Sequence, residues 1–334
     1  MISQPTQKSK VSNNLYTAYE AAIMRLLSSG GLCHSVAEQS IEVYDVNYTM
    51  RLIAVGEAPP DAPTLVIIAG VHGIESIGVD ILLNYLSALT VQSGWSDSVR
   101  SLLQRVRLLA IPMANPSGIA KRRRANANGV DLMRNAPVDA KVKAIWMVGG
   151  HRYSRCLPWF RGRPGVIEQE NQVLFDWCNS LFCRGPCTLV LDIHSGFGLR
   201  DQIWYPYAGQ KTAFPRIGDV LALERLFDAS YPHHHHYQFS QQSQHYITHG
   251  DLWDWLYDHR FTQANKPFLP LTLELGSWLW LKKNPKQLLN KLGLFHPMVE
   301  HRRSRVLRQH FPFLDFLIKA VEVWPTWIEP GTHA

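Results

Sequence analysis

The stretch Thr64–Glu75, TLVIIAGVHGIE, decides how the rest of the chain is read. Its apolar run, Thr64–Gly70, has the length and β-branched content of a buried strand. Gly70 and Gly73 allow a tight backbone turn. A helical pattern then opens at Glu75 and continues through Ile77, Ile81, Leu82, Tyr85 and Leu89. His72 and Glu75 therefore fall at the carboxyl end of a strand, where open α/β sheets place their ligands. An imidazole and a carboxylate held side by side there supply two of the three protein ligands of a catalytic zinc site.

A third donor should come from the end of another central strand. Cys187–Ile193 (CTLVLDI) is such a strand, and it ends in His194, followed by Ser195-Gly196. Asp192 lies two residues earlier, on the same side of the strand, placed to orient a ligand imidazole. Further apolar runs at Val106–Met113 and Leu269–Leu275 read as strands, and Ile41–Glu57 as a hairpin or two short strands. Helical patterns cover residues 15–30, Ser76–Leu89, Glu168–Phe182, Arg216–Phe227, Asp251–Tyr257 and part of Met298–Val323. Strands alternating with helices predict an α/β fold, a three-layer α/β/α sandwich around a mixed, largely parallel sheet. The 334 residues, 46% hydrophobic, suit a single catalytic domain over 1–334, with a frayed segment at 1–14.

The net charge of +7 gathers at Lys121–Arg124, around Arg152–Arg163 and at Arg302–Arg308. No base-reading motif accompanies it, so nucleic acid is not expected as a partner. Five scattered cysteines, an odd number, argue for reduced thiols rather than a disulfide framework. No apolar window has the length of a membrane span, and the N-terminus lacks a signal-peptide core; a cytoplasmic protein without membrane partners is expected. The run His233–His236 reads as a surface loop or strand edge, because consecutive residues of a strand face opposite ways and cannot share one ion.

The order of these motifs resembles the zinc carboxypeptidase family of metallopeptidases, over roughly residues 63–280. His72 and Glu75 match its H-x-x-E motif, and Asn115-Pro116-Ser117-Gly118 its Asn-Pro-x-Gly turn. Arg124 through Asn135 (RANANGVDLMRN) match its R-x-N-x-x-G-V-D-L-N-R-N pattern, and Glu274 in LTLEL its catalytic glutamate. The resemblance implies one Zn²⁺ held by His72, Glu75 and His194. It implies Glu274 as general base and Arg124 as the group that polarises the scissile carbonyl. Arg134, with Asn135 beside it, would bind the substrate's terminal carboxylate. Tyr246, ahead of Gly250, Asp254 and Trp255, resembles the family's mobile tyrosine segment. Trp253 occupies the position that tunes side-chain preference; facing inward, it would make an aromatic, partly filled pocket for a small or flat group.

Two departures stand out. Met133 replaces the Asn usual beside the second Arg, and it has no amide donor for a carboxylate. The region Ala136–Gly165, with Trp146, Trp159 and Phe160, is inserted and is expected to form a lid or rim. The implied activity is hydrolysis of a short peptide or peptide-like amide. Deacylases of the aspartoacylase and succinylglutamate-desuccinylase type share related motifs, so an N-acyl amino acid is the alternative substrate. A non-catalytic binding module is the alternative of another class. Oligomeric state is not legible.

Overall fold

The computed structural model describes residues 14–29, 31–261, 266–290 and 293–328. The frayed segment expected at 1–14 thus falls, but for Asn14, outside the described residues, as does Gly30 at the end of the first expected helix. The chain runs α1 (Asn14–Ser28), β1 (Cys33–Val43), β2 (Val46–Val55), β3 (Thr64–Ala69), α2 (Ser76–Ser93), α3 (Asp97–Arg105), β4 (Arg107–Ile111) and α4 (Pro116–Lys121). It continues through α5 (Gln169–Ser180), β5 (Thr188–Phe197), β6 (Asp201–Tyr205), α6 (Ile217–Ser230) and β7 (Tyr237–Gln241). α7 (Leu252–Leu256), β8 (Phe268–Gly276), α8 (Trp278–Lys283) and α9 (Glu300–Glu322) complete it.

Eight strands form one sheet in the order β1-β2-β4-β3-β5-β8-β6-β7. The inner four, β4-β3-β5-β8, are parallel, and antiparallel pairings join them to the flanking strands. β3, β8 and all of β5 but its last two residues are buried on both faces, which is why they read as largely apolar runs. Helices flank the sheet: α2 and α9 pack against each other and against β3, and α5 lies against β1. The expected mixed, largely parallel α/β sheet is what forms.

β3 is followed in the chain by β4 on one side, while β5 lies on its other side. The carboxyl ends of β3 and β5 therefore border a crevice where strand order reverses, the usual ligand position in such sheets. Two glycine-bearing turns meet there. A Cβ on Gly73 would fall 2.0 Å from the carbonyl carbon of Gly118, so only hydrogen fits. Asn115 fixes the second turn, accepting from the Gly118 amide at 2.8 Å and donating to the Val71 carbonyl at 3.1 Å. The H-x-x-E and Asn-Pro-x-Gly motifs are thus one packed unit.

The His233–His236 run joins α6 to β7, with only His234 partly buried, as expected for a surface loop. On α9, His310 is 1% exposed and its Nδ1 lies 2.8 Å from the Tyr237 hydroxyl. Burial pushes this imidazole down to about 4. Below pH ~6.5 the unfolded chain binds a proton here that the folded chain refuses, so stability falls as pH drops from ~6.5 toward 4, by up to about 3 kcal/mol. Urea midpoints of the wild type and His310→Gln should therefore draw together over that window; parallel curves would show that His310 does not titrate this way.

Candidate metal centre and substrate cavity

The turn after β3 delivers His72 and Glu75, and β5 delivers His194. Their donor atoms all lie within 4.8 Å of one another, and this is the group of possible metal donors found among the described residues. His72 Nδ1 is 3.0 Å from Glu75 Oε1, and His194 Nδ1 is 3.1 Å from His72 Nδ1 and 3.2 Å from Glu75 Oε2. Tetrahedral zinc with N and O donors places them about 3.3 Å apart. The outward nitrogens face carboxylates: His72 Nε2 lies 3.1 Å from Asp131 Oδ1, and His194 Nε2 lies 2.8 Å from Asp192 Oδ2. Protons held on those outer nitrogens leave two Nδ1 lone pairs and a carboxylate converging on one point, a donor set that suits a divalent cation. The residues present fit zinc.

The charges balance locally. Burial raises the Glu75 carboxyl, but His72 and His194 more than offset this and hold it well below the carboxylate range. Asp131, also buried, is kept low by Arg124 and His72. Arg124 donates Nε to Asp131 at 2.7 Å and Nη1 to Glu75 at 3.3 Å. It is thus tied to the metal ligand and remains partly exposed on the cavity wall. Glu274 pairs in register with His194 across β5 and β8. Burial, then repulsion from Glu75, pushes its carboxyl up to about 8.

These groups open onto a cavity of about 710 Å³ whose wall also carries Arg134, Met133 and Tyr246. Arg134 is 2% exposed. Its Nη1 reaches only the Met133 carbonyl at 3.3 Å, its Nε has no hydrogen-bond partner, and its guanidinium lies 5.9 Å from the Tyr246 ring centre. Among the described residues it makes no ion pair. Most of the remaining wall is apolar or aromatic, including Ile74, Phe197, Trp204, Trp278 and Phe295. From the inserted region come Ile145, Val148, Pro158 and Trp159. Trp159 thus sits on the rim as expected; Trp146 stands 76% exposed, off the cavity, and Phe160 bridges to His151.

Two expected substrate contacts lie elsewhere. Asn135 donates to the Arg161 and Val166 carbonyls and accepts from the Glu168 amide, so its amide is spent on the loop and is absent from the cavity wall. Trp253 does not face inward. Its indole N–H donates to Asp192 Oδ2 at 3.1 Å, which places it behind the metal site. The aromatic lining comes instead from Phe197, Trp204 and Tyr246, whose rings stack edge to face or tilted. Sequence reasoning missed the role of Asp131, which mirrors Asp192, and missed His245, Gln242 and Thr272 on the wall. Thr272 was accessible by strand alternation from Glu274; the others carry no local signal.

A largely parallel sheet with a His–Glu–His donor set at its switch point defines an α/β protein equipped to hold a divalent cation. The zinc carboxypeptidase family profile matches residues 15–279, and the chain belongs to that family. Carboxypeptidase SOL1 of Arabidopsis thaliana is 23% identical over 254 residues, covering 70% of this chain and 45% of that protein. Carboxypeptidase E of Caenorhabditis elegans is 27% identical over 184 residues, covering 49% and 37%. The chain thus spans less than half the length of these relatives. Among solved structures, the carboxypeptidase A from Helicoverpa armigera superposes with a TM-score of 0.67 at 18% identity, covering 96% of this chain and 77% of that one. Thrombin activatable fibrinolysis inhibitor gives 0.66 at 16%, covering 93% and 74%. At such identities the likeness is one of fold.

Proposed function

We propose that the protein is a zinc-dependent carboxypeptidase that removes an apolar or aromatic residue from the C-terminus of a short peptide. The observation that carries this reading is Arg134, a buried guanidinium on the cavity wall that makes no direct ion pair among the described residues, with the buried Asp131 and Asp251 acting on it only through space, in the same cavity as the His–Glu–His donors. Such a group recognises a carboxylate by charge-assisted hydrogen bonds. The neighbouring wall is aromatic, and its acidic groups, Glu75 and Glu274, belong to the reacting centre. A basic side chain would find no counter-ion in the remainder, while a flat apolar one would be well covered.

His72, Glu75 and His194 would hold zinc, which acidifies water and polarises a carbonyl when bound. Glu274 takes the proton from the attacking water and returns it to the leaving amine. Arg124 donates to the carbonyl oxygen as negative charge develops there. Tyr246 closes one side of the cavity over Arg134. All five cysteines are free thiols, consistent with a reducing, cytoplasmic setting as part of the same proposal. No helix among the described residues is long and apolar enough to cross a membrane.

Amidating the substrate C-terminus should raise KM about 10-fold to 100-fold with a smaller effect on kcat, as expected when a buried arginine loses a charged partner. Peptides ending in Phe or Leu should outrun those ending in Lys. Indifference to amidation would remove Arg134 from recognition, and faster turnover of N-acyl amino acids than of blocked dipeptides would make the enzyme a deacylase.

A further inference from the structure

The basic cluster at Arg302–Arg308 has no part in the catalytic cavity. Four of its surroundings' permanent cations, Arg200, Lys283, Arg302 and Arg305, instead line a second cavity of about 590 Å³ between α8, α9 and the start of β6. Asp201 is the acidic residue on its wall. That carboxylate is already engaged, accepting from the Gly276 amide at 2.8 Å and from the Gln309 side chain. Four cations against one carboxylate leave a local charge of +3 with the histidines neutral. Arg302 reaches the Trp280 carbonyl at 3.2 Å and the Gln287 side chain at 3.4 Å. Among the described residues, none of the four cations makes an ion pair. His235, His236 and His301 add further donors at the rim.

The floor is different in character. Leu275, Leu279, Trp280 and Val306 give it an apolar base. The volume lies within the range of small-molecule sites, about 300–1,000 Å³. Guanidinium forks match phosphate oxygens in pairs, and an unpaired cluster of them favours a multiply charged ligand. The cavity is separate from the catalytic one, yet the two share β8 and α8. Glu274 and Trp278 face the first, while Leu275 and Leu279 face the second.

We propose that this second cavity binds an organic polyphosphate, an apolar or aromatic body carrying at least two phosphates, of the nucleoside diphosphate kind. The cations hold the phosphates and the Leu275–Leu279–Trp280 floor covers the body. This site stands apart from the hydrolytic reading and does not depend on it.

Calorimetric titration of the full chain with ADP, inorganic pyrophosphate and citrate tests the inference. ADP should bind with Kd below about 1 mM, pyrophosphate more weakly and citrate weakest. Lys283→Glu/Arg305→Glu should weaken ADP about tenfold or more, since two charge-assisted contacts become repulsive. Arg305→Ala, a truncation at an exposed position, should move it in the same direction should the double variant fold poorly. Arg308→Glu, exposed on α9 and off the cavity wall, should leave it unchanged. No ADP binding, or ADP binding indifferent to Arg305, would overturn the assignment. Citrate binding as tightly as ADP would reduce it to bulk charge. A single-stranded oligonucleotide that binds more tightly than ADP and displaces it would make this face a nucleic-acid surface instead.

Discussion

Replacing Glu274 with Gln should lower kcat about 10²–10⁴-fold on a peptide ending in Phe while leaving zinc content unchanged. The amide is nearly isosteric, so the cavity keeps its shape, but it cannot accept the proton of the attacking water. Glu274 is outside the donor group formed by His72, Glu75 and His194, which is why metal content should not follow activity. The pH profile gives a second readout. Burial and Glu75 push the Glu274 carboxyl up to about 8 without a cation; a divalent ion at the neighbouring donors favours the ionised form and moves it lower. A general base must be ionised, so wild-type kcat/KM should fall as pH drops through a limb lying below ~8. That limb should vanish in Glu274→Gln. Near-normal turnover in the variant, or an unchanged acid limb, would remove Glu274 from the mechanism.

The residues most legible in the sequence were those whose position depends on strand ends alone. His72, Glu75 and His194 follow buried apolar runs, and a parallel sheet brings such ends together whatever surrounds them; Glu274 was legible only through the family resemblance. Asp192 was legible through alternation along β5. Trp253 was not, because its direction is set by a partner 61 residues away, the Asp192 carboxylate. Asn135 lay next to a functional arginine in sequence, yet the 3-10 turn Leu132–Arg134 sends its amide into the loop beyond. Phe295 and Leu294 reach the cavity from a segment without periodicity. The fold was blurred in the same way at its edges. β6 and β7 are strands of only five residues each, and β1 begins at Cys33, earlier than the hairpin expected from Ile41, where residues 34–40 are largely exposed and lack the apolar alternation of a covered strand. α3 was hidden by a mean composition too polar to mark a core helix; it buries only Leu102 and Leu103.

Removing the metal should abolish hydrolysis and also weaken the fold, and the two effects have distinct origins. With a chelator in excess, His72 Nδ1, His194 Nδ1 and Glu75 remain crowded within 3.0–3.2 Å of one another. Zinc binds the folded donors and not the dispersed ones, so free zinc at about 1,000 times its Kd adds ~4 kcal/mol to stability. The urea midpoint should therefore drop on chelation and recover when Zn²⁺ is returned. His194→Ala should bind no stoichiometric zinc and show neither response. The outer carboxylates grade the effect. Asp192→Asn disturbs the proton on His194 Nε2 and should cost about 10–100-fold in zinc affinity, measured by competition with a chromophoric chelator. Asp131→Asn should cost more in activity than Asp192→Asn at matched zinc loading. Asp131 holds His72, anchors Arg124 through Nε at 2.7 Å and caps the turn carrying Arg134 by accepting from the Met133 amide at 3.1 Å. Loss at that one carboxylate loosens the metal ligand, the oxyanion donor and the carboxylate-binding arginine together. Equal turnover of the two variants under full zinc occupancy would mean that Arg124 and Arg134 are held by other contacts, and that Asp131 serves His72 alone.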